Sequence, residues 1–363
     1  MKILRIINSL GMGGAERSLE TNVPIHIKHG YETDILLLSP SKTPFYEKLE
    51  DSGVKIYTTS TASIYNPVHV LKIIPFLKRY DIIHVHLFPA LYWACFAKII
   101  SFSKTPLIYT EHSTSNNRRG RFLFKIIDRF VYKRYCHIIT ISDATTRNLI
   151  EHIGPRDNVT TIYNGVNLAP FHNKCEKVEL FPYSNKYKII TQIASFRYPK
   201  DQKTTIRAIR QLGDNVHLVL VGTGNTMEEC MLLAKDLGVD NRVHFLKNRT
   251  DIPSIVASSD IIVMSSMYEG FGRAAIEGMA GRKPVIASDV PGLRDLVVDA
   301  GLLFPAGDDH ALAECLTRLL SSSSLYDSVS SACFDRSKEY DVSKMIAGYE
   351  AVYDKVIANE KAK

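Results

Sequence analysis

The stretch Ile261-Ile262-Val263-Met264-Ser265-Ser266-Met267-Tyr268-Glu269-Gly270-Phe271-Gly272-Arg273-Ala274-Ala275-Ile276-Glu277-Gly278-Met279-Ala280 decides the fold. Its first four residues form a continuous apolar run, the pattern of a strand buried on both faces. A glycine-containing loop follows, and an alanine-rich helix begins near Gly272. Strand, loop and helix in that order form the repeating unit of a parallel α/β sheet. The unit recurs along the 363 residues. Strand-like runs fall at 2–8, 33–38, 54–57, 82–86, 107–110, 137–141 and 159–162, with helical spacing between them at 15–29, 68–79, 122–134 and 143–152. A second Lys-led run at 188–194 restarts the series, followed by strands at 216–221, 243–246, 261–264, 285–287 and 302–304. Helical spacing here falls at 204–212, 227–237, 274–280 and 311–320, and a last helix is predicted over 343–357. Two doubly wound α/β domains are expected, over 1–166 and 187–342, joined by a polar linker 167–186 containing Pro170, Pro182 and Asn185. Ser321–Ser324 reads as a loop ending a helix.

Composition narrows the class. No apolar stretch reaches the ~18 residues of a membrane span. The longest, Leu87 to Ile100, is interrupted by Pro89 and Lys98. Met1 to Asn8 reads as a strand rather than a signal peptide's apolar segment. The six cysteines are widely spaced with no Cys-x-x-Cys pair, which points to a reducing cytosol. Net charge is +7, and the surplus sits in the first half, where residues 1–165 hold 21 Lys+Arg against 13 Asp+Glu. Its densest part is Arg118, Arg119, Arg121, Lys125, Arg129, Lys133 and Arg134, which suits an anionic partner or a solvated helix face. As a helix this segment also carries Phe122, Leu123, Ile126, Ile127, Phe130 and Val131. That apolar face either packs on the sheet, as in an ordinary core helix, or meets an anionic membrane. Nucleic acid is not expected, because the aromatics follow helical core spacing instead of forming a stacking platform.

Ligands of open parallel sheets bind beyond the carboxyl ends of the strands, so the residues there carry the chemistry. After the first strand comes Gly11-Met12-Gly13-Gly14-Ala15-Glu16-Arg17, where glycines let backbone N–H groups approach an anion at a helix start. A dinucleotide fingerprint is weakened by Glu16, and the second candidate, Gly222-x-Gly224, has Met227 where a third glycine belongs. His84, His86 and His112 end two successive strands, with a polar contact to a hydroxylated substrate favoured over metal binding. Gly270, Phe271 and Gly272 surround a dipole-positive helix start suited to a diphosphate. Glu269 and Glu277 flank it, and carboxylates are good acceptors for sugar hydroxyls. There is no Asp-x-Asp metal motif.

The Glu269-to-Glu277 spacing resembles the signature of the family-4 retaining glycosyltransferases. Gly13-Gly14-Ala15-Glu16-Arg17, Ile162-Tyr163-Asn164-Gly165-Val166 and Gly301-Leu302-Leu303-Phe304-Pro305-Ala306-Gly307-Asp308 are similar to that family in the same order, so the resemblance spans nearly the whole chain. It implies the GT-B architecture: two facing Rossmann-like domains, acceptor mainly on the first, nucleotide-sugar on the second, and the last helix, about 343–358, returning to the first. It implies that Glu269 holds donor-sugar hydroxyls and Glu277 the ribose, that His112 lies beside the transferred sugar, and that Gly13 and Gly14 close over the diphosphate. The family's Arg and Lys, five residues apart, neutralise the leaving diphosphate. Lys200 fits the Lys, whereas Ser195 stands at the Arg position and Arg197 is the nearby arginine. The expectation is a retaining, metal-independent hexosyl transfer from a nucleoside-diphosphate sugar, UDP ahead of GDP, to a hydroxyl of a lipid-linked or cell-surface glycan precursor. No cofactor is expected, and the setting is cytoplasmic, at the inner face of the membrane. A nucleotide-sugar epimerase or hydrolase, or a nonenzymatic two-lobed sugar-binding protein, are the alternatives.

Overall fold

The computed structural model describes residues 1–11, 13–40, 42–59, 63–113, 121–172 and 175–362, which form two compact units. The first comprises Met1–Gly165 with Val342–Lys363, the second Val166–Asp341. In the first unit, strands β1 (Lys2–Ile7), β2 (Glu32–Leu37), β3 (Ile56–Thr58), β4 (Ile82–His86), β5 (Leu107–Glu111), β6 (His137–Thr140) and β7 (Val159–Thr161) pair in parallel in the order β3-β2-β1-β4-β5-β6-β7. In the second, β8 (Lys188–Ile193), β9 (Val216–Val221), β10 (Val243–Leu246), β11 (Ile261–Met264), β12 (Val285–Ser288) and β13 (Leu302–Phe304) follow the order β10-β9-β8-β11-β12-β13. Both are doubly wound sheets whose strand order reverses beside the first strand, between β1 and β4 and between β8 and β11. The continuous apolar runs match this placement. Strands β4, β9 and β11 are buried along their whole length because helices cover both faces.

The last helix, Val342–Lys361, belongs to the first unit. Its buried residues Val342, Met345, Ile346, Tyr349, Val352, Tyr353 and Val356 recur at intervals of three and four, forming one stripe. That stripe packs with Ile3, Ile82, Ile108 and Ile139 of four neighbouring strands.

Several elements depart from the sequence reading. Residues 167–186, expected as a linker, are built into the second unit: Leu168 joins its main core, and Leu180 packs with Ile189, Val219, Val221 and Ile255. Irregular spacing hid these apolar contacts from any periodicity. The stretch considered only as too short for a membrane span contains the helix Ala90–Ile100, whose nearly all-apolar composition gives no periodic signal. The serine run expected as a loop starts a further helix, Ser323–Ser337, in which the Ser322 hydroxyl accepts from the Leu325 N–H as an N-cap.

In the helix Phe122–Tyr132 the six apolar residues divide between two faces. Asp128 points inward, accepting from the Tyr92 hydroxyl at 2.6 Å and pairing with His152 Nε2 at 2.8 Å. With Val131 and Tyr132 buried beside it, the opposite arc faces solvent: Phe122 is 80% exposed, Leu123 67%, Ile126 52% and Phe130 45%. Those four residues turn away from the core, whereas Val131 and Ile127 pack into it. Arg118 and Arg119 lie outside the described residues.

The stripe of the last helix is expected to stabilise the first unit. Ile346→Ala should cost about 2–5 kcal/mol through lost burial and a residual cavity. A fall in the urea midpoint of that size checks it; an unchanged midpoint would show that the helix packs elsewhere.

Candidate active site

In the second unit the site is built where the strand order reverses. Because β8 pairs directly with β11, the segments leaving their carboxyl ends run side by side. Three hydrogen bonds join them: Gln192 Nε2 donates to Ser265 Oγ at 2.9 Å, Ser265 Oγ to the Asp201 carbonyl at 2.7 Å, and the Met267 N–H to the Pro199 carbonyl at 2.8 Å. This brings Lys200 and Glu269 into a largely buried ion pair between Nζ and Oε2. Ser266 Oγ donates to the same carboxylate oxygen at 3.4 Å, and the Gly270 N–H to Oε1 at 3.3 Å. Glu269 is thus held by donors from two loops before any ligand arrives.

The helix Arg273–Ala280 begins beside this carboxylate. Its N-cap is Gly272, at φ +74°, with no side-chain cap, so its first N–H groups stay available to an anion. The Glu269 loop is pinned from below by Gly292, at φ +89°, where a Cβ would sit 2.2 Å from the Glu269 carbonyl oxygen. One turn into the helix, Glu277 Oε1 accepts from Arg273 Nε at 2.7 Å. Arg197 lies on the same loop as Lys200, exposed, and makes no ion pair among the described residues. Gly222 and Gly224 have a packing role: a Cβ at either would lie 2.2 Å and 2.1 Å from the carbonyl oxygens of Ala194 and Phe196. A cavity of about 570 Å³ opens beside Lys188 and Asp260 at the amino ends of the strands, away from this chemistry.

In the first unit, Gly13 is the N-cap of the helix Gly14–Lys28, and Gly14 is exposed. His112 follows β5, and its Nε2 lies 3.0 Å from His86 Nδ1. His86 stacks on His84 with ring centroids 4.4 Å apart. Burial and the nearby Arg5 charge push His112 down to about 3, burial does most to push His26 down to about 2, and His84 and His86 are driven well below the ordinary histidine range. All four rings are neutral near pH 7. The neighbouring Glu111 carboxylate accepts from the Tyr132 hydroxyl at 2.7 Å and the Ser113 N–H at 3.2 Å.

Two family models match this chain, Glycosyltransferase Family 4 over residues 12–170 and Glycosyl transferases group 1 over 177–334. The chain belongs to the family-4 glycosyltransferases. Among relatives of this glycosyltransferase, an N-acetyl-alpha-D-glucosaminyl L-malate synthase of Bacillus anthracis is 25% identical, across 77% of this chain and 76% of its own length. A Campylobacter jejuni N-acetylgalactosamine-N,N'-diacetylbacillosaminyl-diphospho-undecaprenol 4-alpha-N-acetylgalactosaminyltransferase is 25% identical, across 93% of this chain and 95% of its own. The crystal structure of Anabaena HepE in complex with UDP has the same GT-B fold, with a TM-score of 0.86 and 22% identity over 98% of this chain and 100% of that one.

Sequence reading of the glycosyltransferase nominated Glu269, Glu277, Lys200, Arg197, His112 and the glycines, but not their contacts. Ser266 and Arg273 went unnoticed as carboxylate partners. Arg273 was discoverable, since it stands four residues before Glu277 on one helix face. Arg5 carried no signal at all within an apolar strand.

The buried histidines dictate an acid response. An unfolded histidine binds its proton near pH 6.5, whereas folded His112 does so only near 3. Between those values the unfolded chain holds more protons, so stability rises with pH and levels off above about 6.5. Urea midpoints should fall from neutral pH to about pH 5, and His112→Gln should shallow that slope. A midpoint independent of pH over this interval would mean these rings are protonated in the fold.

Proposed function

We propose that the chain transfers a sugar with retention of configuration from a UDP-sugar to a hydroxyl acceptor, a lipid-linked or cell-surface glycan precursor. The observation that carries this reading is the Lys200–Glu269 pair beside the Gly272-capped helix start. It sets a cation, a hydroxyl acceptor and free backbone donors within one loop cluster, the set needed to grip a sugar and stabilise a departing diphosphate. In this reading Glu269 takes hydroxyls of the donor sugar, sharing its carboxylate with Lys200. Glu277, oriented by Arg273, takes the ribose hydroxyls. Lys200, the exposed Arg197 and the N–H groups of Gly270, Phe271 and Gly272 neutralise the diphosphate. Gly13 and Gly14 close over it, and His112 contacts the transferred sugar. The donor phosphate accepts the acceptor's proton, so the reaction needs neither a protein base nor a metal. The UDP bound by HepE supports the choice of base, and the undecaprenol acceptor in the Campylobacter relative's name supports a lipid-linked acceptor.

The helix Phe122–Tyr132 suits such an acceptor. On a 3.6-residue helix, Phe122, Leu123, Ile126 and Phe130 span about 100° of arc. Lys133 lies within that arc, Arg129 about 20° beyond one edge, and the Arg134 guanidinium carbon lies 4.9 Å from the Phe130 ring centroid. Each side chain moved from water into lipid contributes up to about 1.5–3 kcal/mol. Each flanking cation adds ~1 kcal/mol on an anionic leaflet. The reading therefore places the enzyme peripherally on the inner face of the membrane. No helix among the described residues is long and apolar enough to cross it.

Glu269→Gln should lower turnover by about tenfold or more while leaving the protein folded, because a neutral amide loses both the Lys200 pairing and hydroxyl acceptance. The assay is acceptor-dependent UDP release; release without acceptor would favour a hydrolase. Phe122→Ser with Phe130→Ser should abolish co-sedimentation with anionic vesicles at low salt. Wild-type protein that stays in the supernatant there would refute the membrane contact.

A further inference from the structure

Arg5 sits in the middle of β1, 0% exposed, and no carboxylate pairs with it among the described residues. A buried guanidinium without a counter-ion is costly, and an apolar residue of similar size would pack there at no such cost. Its compensation is unusual. Nη1 faces His84 Nδ1 at 2.5 Å and His86 Nε2 at 3.4 Å, and Nη2 faces His26 Nδ1 at 3.2 Å. The rings of Tyr349 and Tyr353, from the last helix, each lie 5.4 Å from the guanidinium carbon.

The geometry has one consistent set of proton positions. A guanidinium only donates, so each imidazole nitrogen facing it presents a lone pair. For His84 this puts the proton on Nε2, which then donates to Thr110 Oγ1 at 2.7 Å. For His86 it puts the proton on Nδ1, the nitrogen 3.0 Å from His112 Nε2. His112 Nε2 must then accept, which leaves its own proton on Nδ1. That Nδ1 is buried and has no partner among the described residues. Such a donor needs a partner, and on the reading of His112 as a sugar contact that partner is an oxygen of the bound sugar.

We propose that Arg5 is a positioning residue that acts through His86 to hold His112 in its Nδ1–H tautomer, so that the site offers the transferred sugar a fixed hydrogen-bond donor to an oxygen lone pair. This rests on the reading of His112 as a sugar contact. Burial and the Arg5 charge keep the chain of rings neutral, so the donor does not become a charged group near pH 7. The last helix takes part by walling in Arg5 and by placing the Tyr353 hydroxyl 2.8 Å from His84 Nδ1.

The test is the ring-nitrogen spectrum of the full chain labelled with 15N-histidine, assigned with His112→Gln. In the wild type, His86 and His112 should each show a protonated Nδ1 and a bare Nε2. Arg5→Met should shift His112 toward the Nε2–H form and lower kcat about tenfold, the worth of one misdirected hydrogen bond, with the donor KM changed far less. His86→Asn, whose amide N–H replaces the imidazole Nδ1–H, should restore most of what His86→Phe loses in both tautomer and kcat. An Nε2–H His112 in the wild type overturns the relay without recourse to any variant, so a failure of Arg5→Met to fold does not protect it. An unchanged His112 tautomer in folded Arg5→Met and His86→Phe overturns it equally. An Nδ1–H His112 whose replacement by Phe leaves transfer at the wild-type rate would uphold the relay and remove His112 from the sugar contact.

Discussion

The direct pairing of β8 with β11 governs the second unit. A parallel sheet whose order reverses between neighbouring strands sends the two following segments to opposite faces, and a gap opens at their carboxyl ends. Lys200 reaches this gap from one side and Glu269 from the other, 69 residues apart in sequence. The hydrogen bonds from Gln192 to Ser265, from Ser265 to Asp201 and from Met267 to Pro199 hold the two segments in register, so the ion pair rests on the sheet itself. The same reversal between β1 and β4 puts Arg5 beside His84 in the first unit, through the strand register.

The two units use opposite electrostatic means. The second collects charged groups, most of them paired and partly buried: Lys200 with Glu269, Arg273 with Glu277, and Arg197 exposed beside them. In the proposed reaction such groups answer the large charge change of a departing diphosphate. The first buries one cation among neutral imidazoles, where low polarity suppresses protonation and a guanidinium dictates which nitrogens stay bare. The former arrangement stabilises charge, and the latter sets the direction of a hydrogen bond.

Burial of Asp128 has a consequence on the surface. Its carboxylate accepts from Tyr92 and pairs with His152, both on neighbouring helices, which fixes the rotation of the helix Phe122–Tyr132. Four large apolar residues are turned outward as a result. Hydrophobic patterning alone would have turned the helix the other way, since it counts one buried aspartate as less important than six apolar residues.

Strand runs such as Ile82–His86 and Val216–Val221 were legible in the sequence because a two-faced buried strand must be continuously apolar, whatever surrounds it. The two-domain α/β class and the nomination of Glu269, Glu277, Lys200 and His112 follow from such local patterns and from motif spacing. The helix Ala90–Ile100 and the packing of residues 167–186 were not legible, because uniform or irregular apolarity carries no period. Tertiary structure decided the rest: that Lys200 meets Glu269, that Asp128 faces inward, and that Arg5 lies against three histidines from distant parts of the first unit. The reason is physical. A local pattern states which side chains leave water, whereas the partner of a buried charge depends on which strands become neighbours, and that is settled only when the sheet closes.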